Sequence, residues 1–358
     1  MINFVLILLT LVVNPLYSIV IFSILNICKP INRIILYFWG VLYCFIFPSI
    51  QEGIDGSNIK DLGGDIQGYI TGIQRLDGLG LNDAFSNHNM TGHEPGVHLI
   101  WYAMINSGIS IDALLILQRL FWITVLVAFV TSISKRYSAA ILMIGLGLYP
   151  YVIPTLFIDL YRNSWAFAFF LIGYMLTRIR WGAYGLSGLS HFSFLFPIII
   201  DLAVNNRSRI RTFVIMSMIL ATAYISNILS ETIFSKLQYY YSHFNYTLSV
   251  TEVYSLFTLI AITLWLFFFK KRGRAFNLGA WLLAVFIIVK IFPVTNFVSS
   301  RLFISVGPIA FMLLASSLKK IGLNVILIIS IIKYTVAILL GETVFYLFDA
   351  DAIFYYLM

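Results

Sequence analysis

The sequence predicts an all-α, polytopic membrane protein of about ten transmembrane helices, together with two shorter apolar segments that re-enter the membrane or lie along it. Three observations predict this class. Hydrophobic residues make up 60% of the 358 positions and charged residues 11%, against about 25% charged in a typical soluble domain. The apolar residues are gathered into runs near the ~20 residues that one bilayer crossing needs. Lys and Arg collect in short connections between those runs, as the orientation bias of membrane proteins requires. A soluble chain of this content would have to bury nearly every side chain, whereas a bilayer solvates them.

Taken in order, the runs place spans near 2–26, 33–50, 112–133, 138–158, 163–179, 210–232, 251–269, 275–292, 298–318 and 321–347, within a single membrane domain covering 1–358. The first run has neither a basic residue before it nor a small-residue cleavage site, so it is expected to be a retained span and not a signal peptide. The basic connections at Lys29 to Arg33, Lys135 to Arg136, Arg178 to Arg180, Arg207 to Arg211, Lys270 to Arg274 and Lys319 to Lys320 are expected on the cytoplasmic side, with both termini outside. The net charge of +8 is carried largely by these connections and records orientation, so nucleic acid is not an expected partner. Cys28 and Cys44 have no spacing that suggests a metal site or a disulfide framework.

Two apolar segments remain, 95–110 and 182–203. If either crossed alone, every later basic connection would change sides. The first is short. The second, GAYGLSGLSHFSFLFP, is interrupted by glycines and ends at Pro197. Both are therefore expected to be re-entrant or interfacial pieces, which are tolerated where their backbone is buried in protein or lines a wet cavity; the alternative is two short full spans and a twelve-helix protein. On the outer side lies one long connection, 51–94, which is polar and Gly-rich and well beyond the ~12–15 residues of an ordinary connector.

With orientation set, the informative cations are those on the outer side: Arg75, Lys290, Arg162 and Arg301. Lys290 can simply extend to the headgroups. Arg162, in IDLYRNSW, and Arg301, in TNFVSSRLF, each begin a span directly after polar residues, and a guanidinium presents a planar fork of donors that suits phosphate oxygens. Arg119, Lys333, Glu342 and His191 fall within apolar runs and should face the protein interior. His191 lies in the middle of GLSGLSHFSF, at the expected hairpin tip, where it is either a satisfied core histidine or a hydrogen-bond donor or base reaching a central cavity. The outer carboxylates include Asp65, Asp77, Asp83, Glu94 and Asp159. No D-x-D or H-E-x-x-H pattern joins them, and the five-residue spacings of His88, His93 and His98 do not align on one helical face, so no metal is expected. Pro95 suits the first turn of a helix, and Glu94 just before it suits the helix dipole; capping is the structural reading of that carboxylate.

The order of these features resembles the EpsG-like branch of bacterial polysaccharide polymerases, which is similar in role to the Wzy-type O-antigen polymerases. It comprises D-x-x-x-Y in GGDIQGYI, E-P-G at Glu94 to Gly96, Arg162 before an Ala-rich span, His191 in an apolar run and a late Arg301. The resemblance implies a GT-C-like membrane glycosyltransferase in the bacterial cytoplasmic membrane. It would use no cofactor and would transfer a growing glycan from undecaprenyl diphosphate onto the next lipid-linked repeat unit on the outer face. Under it, Arg162 and Arg301 hold the diphosphate, and Glu94 is the base or orients a histidine base such as His93. His191 is a secondary polar contact, and Asp65, Tyr69 and Asp159 contact glycan. Membrane lipids, a flippase and a chain-length regulator are the implied partners. Rival readings are a transferase using a polyprenyl-phosphate sugar, an O-antigen ligase, and a transporter or flippase of lipid-linked oligosaccharides.

Overall fold

A computed structural model describes residues 5, 15–54, 65–86, 95–147, 161–205, 273–291 and 296–339. Among these residues the regular structure is entirely helical. The helices are α1 (Pro15–Cys28), α2 (Arg33–Ile54), α3 (Asp65–Gln74), α4 (Leu81–Ser86), α5 (Pro95–Asn106), α6 (Ile111–Ile133), α7 (Ser138–Gly147), α8 (Tyr161–Met175) and α9 (Arg180–Ser190). A 3-10 turn (Phe192–Phe194) then leads to α10 (Leu195–Asn205), followed by α11 (Arg274–Ile291), α12 (Asn296–Ala315) and α13 (Lys320–Leu339). Every apolar run that falls on described residues is helical, while the runs at 210–232 and 251–269 lie outside them. Among the described residues one helix, α6, is long and apolar enough to cross a membrane, with 23 residues and a window of mean hydropathy 2.2.

Local chemistry sets the ends of α6. Gly108, at φ +81°, supplies the left-handed turn that other residues adopt only at a cost, and the Ser110 hydroxyl accepts from the Ala113 N–H at 3.3 Å, satisfying one of the free amides of the first turn. Asp112 in that turn faces the positive end of the helix dipole.

Two clusters form the core. The larger joins α1, α2 and every helix from α6 to α13. Within it Trp39 stacks on Phe22 at 5.3 Å and on Tyr43 at 4.8 Å, and the buried Asn26 side chain accepts from the Ala140 N–H at 2.8 Å, tying the end of α1 to the start of α7. The smaller cluster holds Tyr69, Ile73, Leu76, Ala84, Val97, Trp101, Ile105, Leu114 and Trp165.

That second cluster draws on the long connection expected over 51–94. Its described part carries α3 and α4, which pack on α5. Tyr69, Ile73 and Leu76 recur at the spacing of a helical face and turn inward, while Gln74 and Arg75 are exposed. Side chains of α5 return bonds to this cap: the Tyr102 hydroxyl donates to the Leu79 carbonyl at 3.1 Å and the Asn106 amide to the Leu76 carbonyl at 3.3 Å. Of its described glycines, Gly68 and Gly72 lie within α3, while Gly78, at φ +71°, supplies a turn.

The segment 182–203 also departs from expectation in detail. Gly182, Gly185 and Gly188 lie inside α9 and interrupt nothing. The break falls at His191, whose extended backbone (φ −159°, ψ 120°) ends the helix. Pro197 does not end the segment but sits in the first turn of α10, where its missing N–H costs no helical bond. The chain therefore makes a hairpin of two 11-residue arms.

Candidate functional site

Helices α8 and α9 run antiparallel in close contact. A Cβ on Gly173 would collide with the Tyr184 ring, and the Ser187 hydroxyl donates to the Ala166 carbonyl at 2.7 Å. One turn beyond Ser187 stands His191, and one turn before Ala166 stands Arg162, so the two occupy the same end of the pair.

Helix α5 enters at that end. A Cβ on Gly96 would lie 2.7 Å from the Leu189 carbonyl carbon and 2.8 Å from the Ser190 nitrogen. Only glycine lets the first turn of α5 rest against the last turn of α9. From there α5 runs back to the turn that begins α6. Thus the two apolar segments that fitted no span meet: the N-terminus of α5 abuts the C-terminus of α9, positive dipole end to negative.

Arg162 is half-buried at this junction. Its Nε donates to the Tyr69 hydroxyl at 3.2 Å, and its guanidinium carbon is 5.4 Å from the Tyr69 ring centroid. Tyr69 is itself buried and packs on Trp101 at 5.9 Å. Trp165 packs against Phe121 at 5.5 Å and Phe169 at 6.1 Å, extending the aromatic wall. Beside it Asn163 and Ser164 are fully buried polar residues, and the Gln118 amide donates to the Ser164 hydroxyl. A ring and a hydroxyl thus hold the guanidinium and fix its orientation.

His191 is oriented by its neighbour. The Ser193 backbone N–H, which can only donate, points to His191 Nδ1 at 3.2 Å, and the Ser193 Oγ lies 2.6 Å from the same atom. Nδ1 is therefore the acceptor, and the neutral ring carries its proton on Nε2. This arrangement suits a hydrogen-bond donor better than a base, since the lone pair of the ring is already engaged. Ser190, directly before it, is buried, and its hydroxyl has no hydrogen-bond partner among the described residues.

Arg301 lies in the second turn of α12. Gly279, early in α11, faces Ala310, Leu313 and Leu314 of α12, so these helices are antiparallel, and the start of α11 pairs with α10 through Arg274 and Asp201, 2.9 Å apart. The N-terminal part of α12, with the backbone of Arg301, therefore points toward the end where Arg162 stands. Asp65 begins α3, four residues before Tyr69. Glu94, His93 and Asp159 lie outside the described residues, Glu94 being joined directly to Pro95 of α5.

The structure thus brings Arg162 onto Tyr69 and sets His191 and the first turn of α5 at the same end. His98 has a different part: its Nε2 donates to the Ala84 carbonyl at 2.6 Å, pinning α4 to α5. Among the described residues no three His, Cys, Asp or Glu side chains gather in a metal-binding group. Sequence reasoning passed over Gly96 as a contact, Ser190, and the Asp201–Arg274 pair. The signal for the last was present, a lone carboxylate closing the run FPIIID, but a charge at the end of an apolar run is commonly just a solvated terminus.

Comparison with protein-family models, curated proteins and solved structures returned no match.

Proposed function

We propose that the chain is a polytopic enzyme of the bacterial cytoplasmic membrane that polymerises oligosaccharide repeat units carried on undecaprenyl diphosphate, working on the outer face. The observation that supports this reading most is the Arg162 guanidinium braced on Tyr69 beside the α5–α9 junction. A phosphate-bearing substrate calls for an oriented, permanently charged fork of donors at a protein boundary.

In this reading about ten helices cross the bilayer, and α5 and α9 are half-depth pieces. Laid end to end their 12 and 11 residues extend about 35 Å, near the ~30 Å hydrocarbon core. Neither crosses by itself, so the later basic connections keep the sides that the charge bias assigns them. Half-helix ends meeting inside a membrane protein are places where non-helical backbone is tolerated because it lines a cavity.

The chemistry is a displacement at the anomeric carbon of the donor glycan. A hydroxyl of the acceptor repeat unit attacks, the bond to the diphosphate oxygen breaks, and the configuration inverts. Glu94, directly before α5, takes the hydroxyl proton, alone or through His93. The diphosphate departs with its electron pair, its charge balanced by Arg162 and Arg301. His191 Nε2–H donates to substrate oxygen, and Asp65 and Asp159 contact glycan, while Tyr69 acts by holding Arg162. A flippase supplies the lipid-linked units and a chain-length regulator limits the product.

Glycan gels from cells with and without the gene test the proposal. A ladder collapsing to a single repeat unit on deletion, and staying collapsed with Arg162→Ala at normal protein level, is the expected result. An unchanged ladder would sink it. Movement of lipid-linked units across liposomes without chain growth would instead indicate a flippase.

A further inference from the structure

At the opposite end of the hairpin from His191, four helices are joined by one carboxylate. Asp201 of α10 is fully buried. Arg274 of α11 donates to it through Nη2 at 2.9 Å and 3.2 Å to the two oxygens and through Nε at 3.4 Å. The Tyr184 hydroxyl of α9 donates to the same carboxylate at 2.6 Å. The guanidinium carbon of Arg274 stands 4.2 Å from the ring centroid of Tyr174 in α8.

Apolar packing alone would bury this interface without the desolvation that a buried carboxylate incurs, so the pair is not there to add raw stability. What it adds is direction. A fork of donors on one carboxylate is sensitive to shifts of a fraction of an ångström, whereas an apolar helix face can slide along another. The hairpin arms are short, 11 residues each. From Tyr184 the arm reaches the junction with Gly96, at Leu189 and Ser190, in less than two turns. A change in register at the base is therefore transmitted to Ser190 and His191 almost undiminished.

We propose that Asp201, Arg274 and Tyr184 form a clasp that sets the depth and rotation of the hairpin, and so are positioning residues for the site around Arg162 and His191. The activity arm of this inference rests on the polymerase reading; its geometric arm does not.

The test uses full-length protein in nanodiscs with Cys28 and Cys44 replaced by Ser and spin labels at Leu99 of α5 and Leu189 of α9, both exposed. The unsubstituted clasp is expected to give one narrow distance distribution. Asp201→Asn and Arg274→Ala are expected to broaden or shift it, with Arg274→Lys, which keeps the charge but not the fork, in between. Folded Asp201→Asn and Arg274→Ala proteins that retain the narrow distribution would overturn the proposal. If neither folds, Tyr184→Phe decides: broadening supports the clasp, and no change refutes it. In cells, clasp variants are expected to shorten the glycan ladder, while Arg162→Ala abolishes it without moving the labels. Labels that move while the ladder stays intact would overturn the positioning role. A ladder indifferent to Arg162→Ala would count against the polymerase reading and leave the label result standing.

Discussion

Arg162 and Tyr69 are bound to each other twice over, by an Nε–H to phenol hydrogen bond of 3.2 Å and by the ring lying 5.4 Å from the guanidinium carbon. They are 93 residues apart, one on the cap over α5 and the other at the start of α8. The cap is thereby part of the site, because it determines where the cation points.

Removing the acceptor alone is the mildest test of that relationship. A hydrogen bond from a charged donor contributes about 1.5–3 kcal/mol, so Tyr69→Phe is expected to slow chain growth by roughly ten- to a hundredfold. Tyr69→Ala, which also removes the ring, is expected to slow it further. Ladder gels normalised to membrane protein level measure this, and a full-length ladder from Tyr69→Ala would show that Arg162 works unaided.

Glu94 has two readings that one series separates. As a cap at the start of α5 it is replaceable by Ser, which serves that position well. As a base it is not, and both Glu94→Ser and Glu94→Gln are expected to leave only single repeat units on the lipid. Long chains from Glu94→Ser together with short ones from Glu94→Ala would assign the residue to capping.

Glycines in α5 and α9 differ in what surrounds them. At Gly96 a Cβ meets the Leu189–Ser190 backbone at 2.7–2.8 Å, while at Gly182 and Gly185 it meets nothing within 4 Å. Gly96→Ala is therefore expected to destabilise the protein by about 1–3 kcal/mol through overpacking. Gly182→Ala and Gly185→Ala are expected to be neutral or to stabilise α9 by up to about 1 kcal/mol. Thermal unfolding in detergent compares them directly, and equal melting temperatures for all three would contradict the contact at Gly96.

His98 pins the cap through Ala84. His98→Phe fills the space but leaves that carbonyl without its donor, at a cost of about 1–3 kcal/mol. The expected signature is local: faster hydrogen exchange over 81–86, with the exchange of α8 unchanged. Uniform protection in the variant would mean that the bond contributes nothing to holding α4.

Much of this molecule was legible along the chain. Helices were readable because apolar runs bounded by Lys and Arg are a one-dimensional signal, and the ends of α2, α6 and α11 fall within a few residues of the charges and caps that mark them. Arg162 stood out in the sequence because a cation at the expected outer end of an apolar run has no orientation role to play. The cap was less so, since Gly-rich composition masked the inward face of Tyr69, Ile73 and Leu76.

The sequence by itself determined an all-helical chain with two segments, 95–110 and 182–203, too short or too broken to stand as ordinary spans. Only the tertiary structure decided that these two segments meet, that Gly96 is the point of contact, that Tyr69 orients Arg162, and that Asp201 finds Arg274 from 73 residues away. The reason is physical. Burial and helical period are properties of neighbours along the chain, whereas a hydrogen bond, a ring contact or a backbone touching a glycine depends on which faces the folded helices present to one another.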